Sequence, residues 1–287
     1  MIPGIAFPGQ GNKKDATVAA LREHRAHPLV AEFLGATDPE SLDLGDTSVS
    51  QPATYAAGIA SAEAAFGTAG VPVVLGHSLG ELTAAAFAGV LDPHDGFVLA
   101  QRRGEICHAQ QAERRGSMIA VMGTDVTGVE WLRRQAVARS GGVIEIAGLN
   151  GSRQTVLSGD VAAVEACVEV AKEIGALVEV LPIGGSFHSP LMHGAIPRWR
   201  EAVEAVEFRA PSVPFVSSVD GQVHDDPALI RELVIRALLL PVRWLDATRT
   251  VRGLGVEQLW DAGPGTTLAR LAKRESIVKF VALEAAQ

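Results

Sequence analysis

Gly76-His77-Ser78-Leu79-Gly80 is the stretch of this 287-residue sequence that reads most directly as chemistry. It fits the G-x-S-x-G pattern, whose glycines let a strand turn sharply into a helix and leave the serine hydroxyl exposed at the strand's carboxyl end. A serine hydroxyl is a weak nucleophile until a base takes its proton. Eight histidines are available for that role. His24, His27 and His94 lie in polar segments, His77 and His108 adjoin the motif or the helix after it, and His193 and His224 have undistinguished surroundings. His188 differs, because Gly184-Gly185-Ser186-Phe187-His188-Ser189-Pro190 is a glycine-rich loop between a strand and a helix, the kind of segment that presents catalytic groups. The order of residues also separates this chain from the α/β-hydrolases, in which an acid and then a late histidine follow the serine. Here the last histidine is His224, with a strand and two helices still to come. A Ser–His enzyme of another class is indicated.

For such a pair to meet, distant elements must converge on one cleft. Residues 5–7 are a short apolar run ending in Pro8-Gly9-Gln10-Gly11-Asn12, which predicts a strand stopping in a tight turn. Residues 51–66 are Ala-rich and predict a helix, 71–75 predict the buried strand that feeds the motif, and 81–90 predict the helix that follows it. Asp92-Pro93 offers a cap and a first-turn proline for a further helix through Arg103 to about residue 111. Between 116 and 183 the pattern changes. Apolar runs at 118–122, 143–149, 155–157 and 177–181 are interleaved with helical segments at 126–139 and 161–174. That order, βαββαβ, is the ferredoxin-like arrangement and is small enough to be an inserted subdomain. Helix and strand candidates resume at 191–206, 213–217, 227–239, 242–254, 258–260 and 266–274. The expectation is an α/β protein with a large α/β-hydrolase-like core and parallel sheet, built from residues 1–115 and 184–287, and a ferredoxin-like subdomain at 116–183.

Composition narrows the partners. At 30.0 kDa the chain exceeds the usual domain of about 100–150 residues, so a large domain with an insert is in keeping with its size. Its 47% hydrophobic and 20% charged residues exclude a disordered or fibrous protein. With 5% aromatics and a net charge of −8, neither nucleic acid nor an anionic membrane is an expected partner. Cys107 and Cys167 stand in no metal-binding or disulfide pattern, so no metal is expected. No basic stretch leading into an apolar one opens the sequence, and no uncharged run reaches the roughly 20 residues of a membrane span, so a cytoplasmic location is expected.

Several motifs in order resemble one family, the malonyl-CoA:acyl carrier protein transacylases and the related acyltransferase domains of polyketide synthases. They are Phe7-Pro8-Gly9-Gln10-Gly11, Gln51-Pro52-Ala53, Gly76-His77-Ser78-Leu79-Gly80-Glu81, Arg103-Gly104, Asn150 with Gln154, Phe187-His188-Ser189-Pro190-Leu191-Met192, Pro241-Val242-Arg243-Trp244 and Gly263-Pro264-Gly265. The likeness spans nearly the whole chain. It implies Ser78 as the acyl-carrying nucleophile and His188 as its general base, with the amides of Gln10 and Leu79 as the oxyanion hole. It implies a backbone carbonyl near Ala237 that orients the histidine in place of a carboxylate. Arg103 would hold the free carboxylate of a malonyl-type acyl group, since a fixed guanidinium pairs a carboxylate bidentately, and Arg102 beside it would be solvated. Phe187 would crowd an α-methyl branch. Asn150 and Gln154 would complete the substrate site.

The activity so implied is ping-pong transfer of malonyl from coenzyme A to the phosphopantetheine thiol of an acyl carrier protein, in fatty-acid or polyketide supply. No cofactor would be bound, coenzyme A thioester being the substrate, and a monomer is expected. An acyl hydrolase that clears stalled carrier proteins, a transacylase for a non-malonyl group, and a non-catalytic docking scaffold are the alternatives; Arg103 speaks against the hydrolase, and the intact Ser78 and His188 against the scaffold. The chain departs from the family at Gln10-Gly11-Asn12-Lys13, where Gln-Gly-Ser-Gln is typical, and at Cys107, where Met is common. An acidic chain meeting an acidic carrier protein needs local cations, and Arg114-Arg115, Arg133-Arg134 and Lys273-Arg274 are the concentrated sites, the last favoured by its place after Gly263-Pro264-Gly265.

Overall fold

The computed structural model describes residues 2–67, 70–273 and 275–282. In chain order the elements are β1 (Gly4–Phe7), α1 (Lys14–Glu23), α2 (Pro28–Leu34), α3 (Thr47–Phe66), β2 (Val74–Gly76), α4 (Gly80–Phe87) and α5 (Pro93–Glu113). Next come β3 (Gly116–Met122), α6 (Val126–Ser140), β4 (Ile144–Gly151), β5 (Gln154–Asp160), α7 (Val161–Glu173) and β6 (Leu177–Val180). After a 3-10 turn at Pro190–Ala195 follow α8 (Ile196–Glu204), β7 (Phe215–Val216), β8 (Val223–His224), α9 (Pro227–Arg236), α10 (Trp244–Gly253), β9 (Gln258–Asp261), α11 (Thr267–Ala272) and β10 (Lys279–Ala282).

Among the described residues these strands make two sheets. The first has the order β10-β9-β1-β2-β7-β8, parallel throughout except for the antiparallel edge strand β8. Its central strands are apolar along their whole length, with Ile5, Ala6, Phe7, Val74 and Leu75 fully buried, as a parallel sheet covered on both faces requires. One face packs on α4 and, through Gly58 beside Phe7, on α3, which packs in turn on α5 so closely that a Cβ on Gly96 would lie 2.1 Å from the Tyr55 hydroxyl, which donates to the Pro93 carbonyl at 2.9 Å. The other face packs on α10 through Trp244, Ala247 and Val251.

The second sheet has the order β4-β5-β3-β6, antiparallel throughout, and carries its own core of Ile119, Val121, Leu132, Ile144, Leu157 and Val164 under α6 and α7. Val242 links the two halves of the fold through backbone bonds. It donates to the Ala147 carbonyl at 2.9 Å and accepts from the Leu149 amide at 2.8 Å, so β4 lies alongside the segment just before α10. The carboxyl ends of β1, β2 and β9 therefore open toward the β3–β5 surface, and a cleft of about 200 Å³ lies between them.

Two expected strands are shorter than the sequence suggests. The one at 71–75 begins only at Val74 and the one at 213–217 is Phe215–Val216, because Pro72 and Pro214 have no amide hydrogen to pair. The helix expected at 191–206 opens as a 3-10 turn, with the Ser189 hydroxyl capping the Leu191 amide at 3.3 Å.

Candidate active site

The turn from β2 into α4 is sterically dictated. A Cβ on Gly76 would fall 1.9 Å from the Gly80 carbonyl oxygen, and one on Gly80 would fall 2.0 Å from that of Phe7, so only glycine fits either position. Between them Ser78 is held at φ +55°, a left-handed conformation in which its side chain points out of the turn into the cleft. Below the turn Glu81, 2% exposed, accepts from the Ser218 amide at 2.8 Å and from the Ser217 and Ser218 hydroxyls, pinning α4 to the end of β7. Burial pushes its carboxyl above the usual range, and these three donors oppose that rise.

His188 meets Ser78 across the cleft, its Nε2 2.7 Å from Oγ. Its own backbone is left-handed, φ +56°, and its amide donates to the Leu238 carbonyl at 3.2 Å. The ring's Nδ1 is 3.0 Å from the Leu240 carbonyl, which can only accept, so the proton sits on Nδ1 and the Nε2 lone pair faces the serine. The family resemblance implied an orienting carbonyl near Ala237; in the structure the one at hydrogen-bond distance from Nδ1 is that of Leu240, three residues on. The chain turns back after α9, with both Leu239 and Leu240 donating to Arg236, and this brings the later carbonyl up to the ring. Ala237 stays near enough only to favour the protonated ring slightly. Burial, then the positive charge of Arg103, then His77, hold the imidazole down at about 3, so it is a neutral base near pH 7.

Arg103 lies on α5, 5% exposed, and Nη1 donates to Gln51 Oε1 at 2.7 Å. Gln51 Nε2 in turn donates to Gln10 Oε1 at 3.1 Å. Burial lowers the affinity of the guanidinium for its proton, and among the described residues no carboxylate forms an ion pair with it. A charge so placed is costly unless something pairs it. Neighbouring Arg102 behaves differently, 63% exposed and bonded to Glu105 at 3.0 Å. Among the described residues, neither the Gln10 nor the Leu79 amide has an acceptor, and Leu79 stands at the positive end of α4.

From the second sheet, Asn150 and Gln154 both reach the cleft. Asn150 Oδ1 lies 2.8 Å from His77 Nε2, so part of its capacity is spent holding the motif's histidine, whose ring also meets Trp244 edge-on at 5.3 Å. Phe187, 5% exposed, forms a wall beside His188.

A family model described as "Acyl transferase domain" matches residues 26–274. The Bacillus subtilis malonyl CoA-acyl carrier protein transacylase is 33% identical over 93% of this chain and 88% of its own length. The chain belongs to the malonyl-CoA:acyl carrier protein transacylase family.

Among solved structures of such transacylases, the acyl-carrier-protein S-malonyltransferase of Burkholderia pseudomallei superposes with a TM-score of 0.87 at 32% identity, over 100% of this chain and 99% of that one. A malonyl-transacylase solved in complex with its type II polyketide synthase acyl carrier protein gives a TM-score of 0.83 at 27% identity, over 97% and 94%. Other relatives are far longer. The chain spans 24% of the polyketide biosynthesis protein ThaF of Burkholderia thailandensis, with 33% identity over 93% of the chain.

The transacylase cleft thus gathers Ser78, His188, Gln10, Arg103, Asn150, Gln154 and Phe187 around one space. Leu79 contributes from behind the elbow, its side chain buried. Leu240 carried no local signal, because it acts through a carbonyl that any residue supplies. Gln51 and Glu81 stand in the motifs, but nothing there shows their partners, Arg103 for the one and Ser217 and Ser218 for the other, which lie far along the chain.

Proposed function

We propose that this chain transfers a malonyl-type acyl group from coenzyme A to the phosphopantetheine thiol of an acyl carrier protein through an ester on Ser78. The observation that carries the reading is Arg103: a buried guanidinium without an acid partner among the described residues, opening on the cleft that holds Ser78 and His188. An acyl group ending in a carboxylate pairs that charge, and a neutral acyl group does not.

His188 Nε2 takes the Oγ proton as Oγ attacks the thioester carbonyl. The oxyanion is met by the amides of Leu79 and Gln10. On collapse the C–S bond breaks, His188 returns the proton to the departing sulfur, and the acyl group remains on Ser78. The carrier thiol then gives its proton to His188 and attacks the ester; on collapse the C–Oγ bond breaks and His188 returns the proton to Oγ, which regenerates the serine. When a substrate carboxylate neutralises Arg103, the like charge that depresses His188 is offset, so binding of the correct acyl group strengthens the base. Asn150 and Gln154 bind the acyl group from the side of the second sheet, and Phe187 limits branching beside it.

The βαββαβ order and strand order of the second sheet support reading 116–183 as a ferredoxin-like subdomain set into an α/β-hydrolase-like core formed by 1–115 and 184–287. Coenzyme A thioester is substrate, and the reading needs no bound cofactor. It takes the protein as a cytoplasmic monomer, and among the described residues no helix is long and apolar enough to cross a membrane. Intact-protein mass spectrometry with malonyl-CoA tests the first half-reaction. A single malonyl adduct that Ser78→Ala abolishes, and that holo carrier protein discharges faster than water does, is expected. An adduct persisting in Ser78→Ala contradicts the assignment, and discharge to water as fast as to carrier protein indicates the hydrolase.

A further inference from the structure

Gly9, Gln10 and Gly11 close the cleft opposite His188, and one peptide plane in that loop carries both the Gly9 carbonyl and the Gln10 amide. Because the unit is planar and trans, whatever fixes the carbonyl on one side aims the N–H on the other. The plane turns about the Gly9 ψ and Gln10 φ bonds, and Gly9, with no side chain, leaves it freer on one side than any other residue would. Asn12 supplies the restraint. Its Nδ2 donates to the Gly9 carbonyl at 3.1 Å, and its Oδ1 accepts from the Thr267 hydroxyl at 2.7 Å. Thr267 Oγ1 in turn accepts from Arg270 at 3.4 Å, which directs its own hydrogen toward Asn12 and fixes which end of the Asn12 amide faces which partner.

The far side of this contact is rigid. The amides of Leu268 and Ala269 donate to Asp261 Oδ2 at 3.0 and 3.1 Å, Asp261 is 1% exposed at the end of β9, and β9 pairs directly with β1. A Cβ on Gly263 would lie 1.8 Å from Pro8, so the loops leaving these two strands are also packed face to face. Asn12 and Thr267 thus bolt together two loops that leave adjacent parallel strands, and both loops line the cleft.

We propose that Asn12, locked by Thr267, is a positioning residue that holds the Gly9–Gln10 peptide with its N–H aimed at the developing oxyanion. The inference rests on the transacylase reading of the site. A donor on the Gly9 carbonyl also polarises the same amide, strengthening the N–H that stabilises the tetrahedral intermediate.

Single-turnover acylation by malonyl-CoA tests this in wild type, Asn12→Ala, Thr267→Val, Thr267→Ser and the Asn12→Ala/Thr267→Val pair. Outright loss of an oxyanion donor slows a reaction about 100- to 1000-fold, and a donor that is only loosened should cost about tenfold in the saturated rate. Asn12→Ala is expected to show that loss with the half-saturating malonyl-CoA concentration changed less than about twofold, since the contact acts on the transition state. Thr267→Val should be slowed in the same sense and Thr267→Ser, which keeps the hydroxyl, should match wild type. The double variant should be no slower than Asn12→Ala, because both changes break one chain of contacts. A wild-type rate in Asn12→Ala, an effect confined to half-saturation, or additive losses in the pair would overturn the proposal while leaving Ser78 acylation standing. A wild type that malonyl-CoA does not acylate overturns the functional reading, and this inference with it.

Discussion

Ser78 and His188, joined by a 2.7 Å hydrogen bond, are both held in the left-handed region of backbone space, at φ +55° and +56°. Among the described residues only Ser276 shares that conformation without being glycine. The two partners of the proton transfer are therefore the two places in the cleft where the chain is forced into a conformation that side chains resist. Each such residue costs of order 1–3 kcal/mol and persists only because its surroundings overdetermine it. For Ser78 those surroundings are the Gly76–Gly80 contact and the Glu81 anchor, and for His188 the Leu238 and Leu240 carbonyls.

Strain at the nucleophile predicts a stability difference between two inactive variants. Ser78→Gly removes the Cβ that resists φ +55°, whereas Ser78→Ala keeps it. Urea denaturation should find the glycine variant more stable than the alanine variant by about 1 kcal/mol, despite glycine's greater unfolded-state entropy. Equal midpoints would mean that the elbow carries no strain.

The acid limb of acylation should report the charge beside the base. With the ring held at about 3, the wild-type rate at low substrate should show no His188 inflection between pH 5 and pH 8. Removing the Arg103 guanidinium removes a like charge and raises the ring's proton affinity, so Arg103→Ala, assayed with acetyl-CoA, should lose activity at a higher pH than wild type. An unmoved acid limb would mean that the Arg103 charge does not set the base.

Asp261 predicts a pH dependence of stability. Burial pushes its carboxyl up to about 7 against the amides that favour its charge, and among the described residues its Oδ1 has no hydrogen-bond partner. A raised folded value means that the stabilisation is present in acid, below the unfolded carboxylate range, and is lost as pH rises toward 7. Wild type should therefore lose about 2–3 kcal/mol between pH 5 and pH 8 relative to Asp261→Asn, which keeps an acceptor for Leu268 and Ala269. Parallel stability profiles for the two proteins would contradict this.

The elbow and the histidine loop were legible in the sequence because their chemistry is local. Two glycines that no other residue can replace bracket Ser78, and a glycine-rich loop carries His188. The alternating order of residues 116–183 likewise matches the elements observed, since each amphipathic segment is long enough to show its period. Leu240 was not legible, because a backbone carbonyl leaves no trace in residue type and its position depends on how the chain turns after α9. Neither were β8 and β10, short strands defined by their neighbours rather than by any pattern of their own. The Asn12–Thr267 contact joins opposite ends of the chain, and neither residue alone announces it.

Carrier-protein docking should depend on cations that are not already spent. Arg114 is bound to Asp160 at 3.0 Å, and Arg133 and Arg134 both bond Glu130, at 2.7 and 2.8 Å, so these three are committed within the chain, whereas Arg115 is exposed and among the described residues forms no ion pair. Arg274 lies outside the described residues, while Lys273 is exposed immediately after α11, which lines the cleft. Lys273→Glu should raise the Michaelis constant for carrier protein and weaken its salt dependence, with acylation by malonyl-CoA unchanged. Unaltered carrier kinetics would shift the docking surface away from α11.

The most direct test of the account is the competition between malonyl-CoA and acetyl-CoA for Ser78, read as the two acyl-enzymes by intact mass in wild type and Arg103→Ala. Losing a buried, charge-assisted bond to the acyl carboxylate should cost about 2–4 kcal/mol, or roughly 30- to 1000-fold in the malonyl-to-acetyl ratio. Wild type should carry malonyl almost exclusively and the variant should carry acetyl at least as readily. The same ratio in both proteins would contradict the claim that Arg103 reads the acyl group.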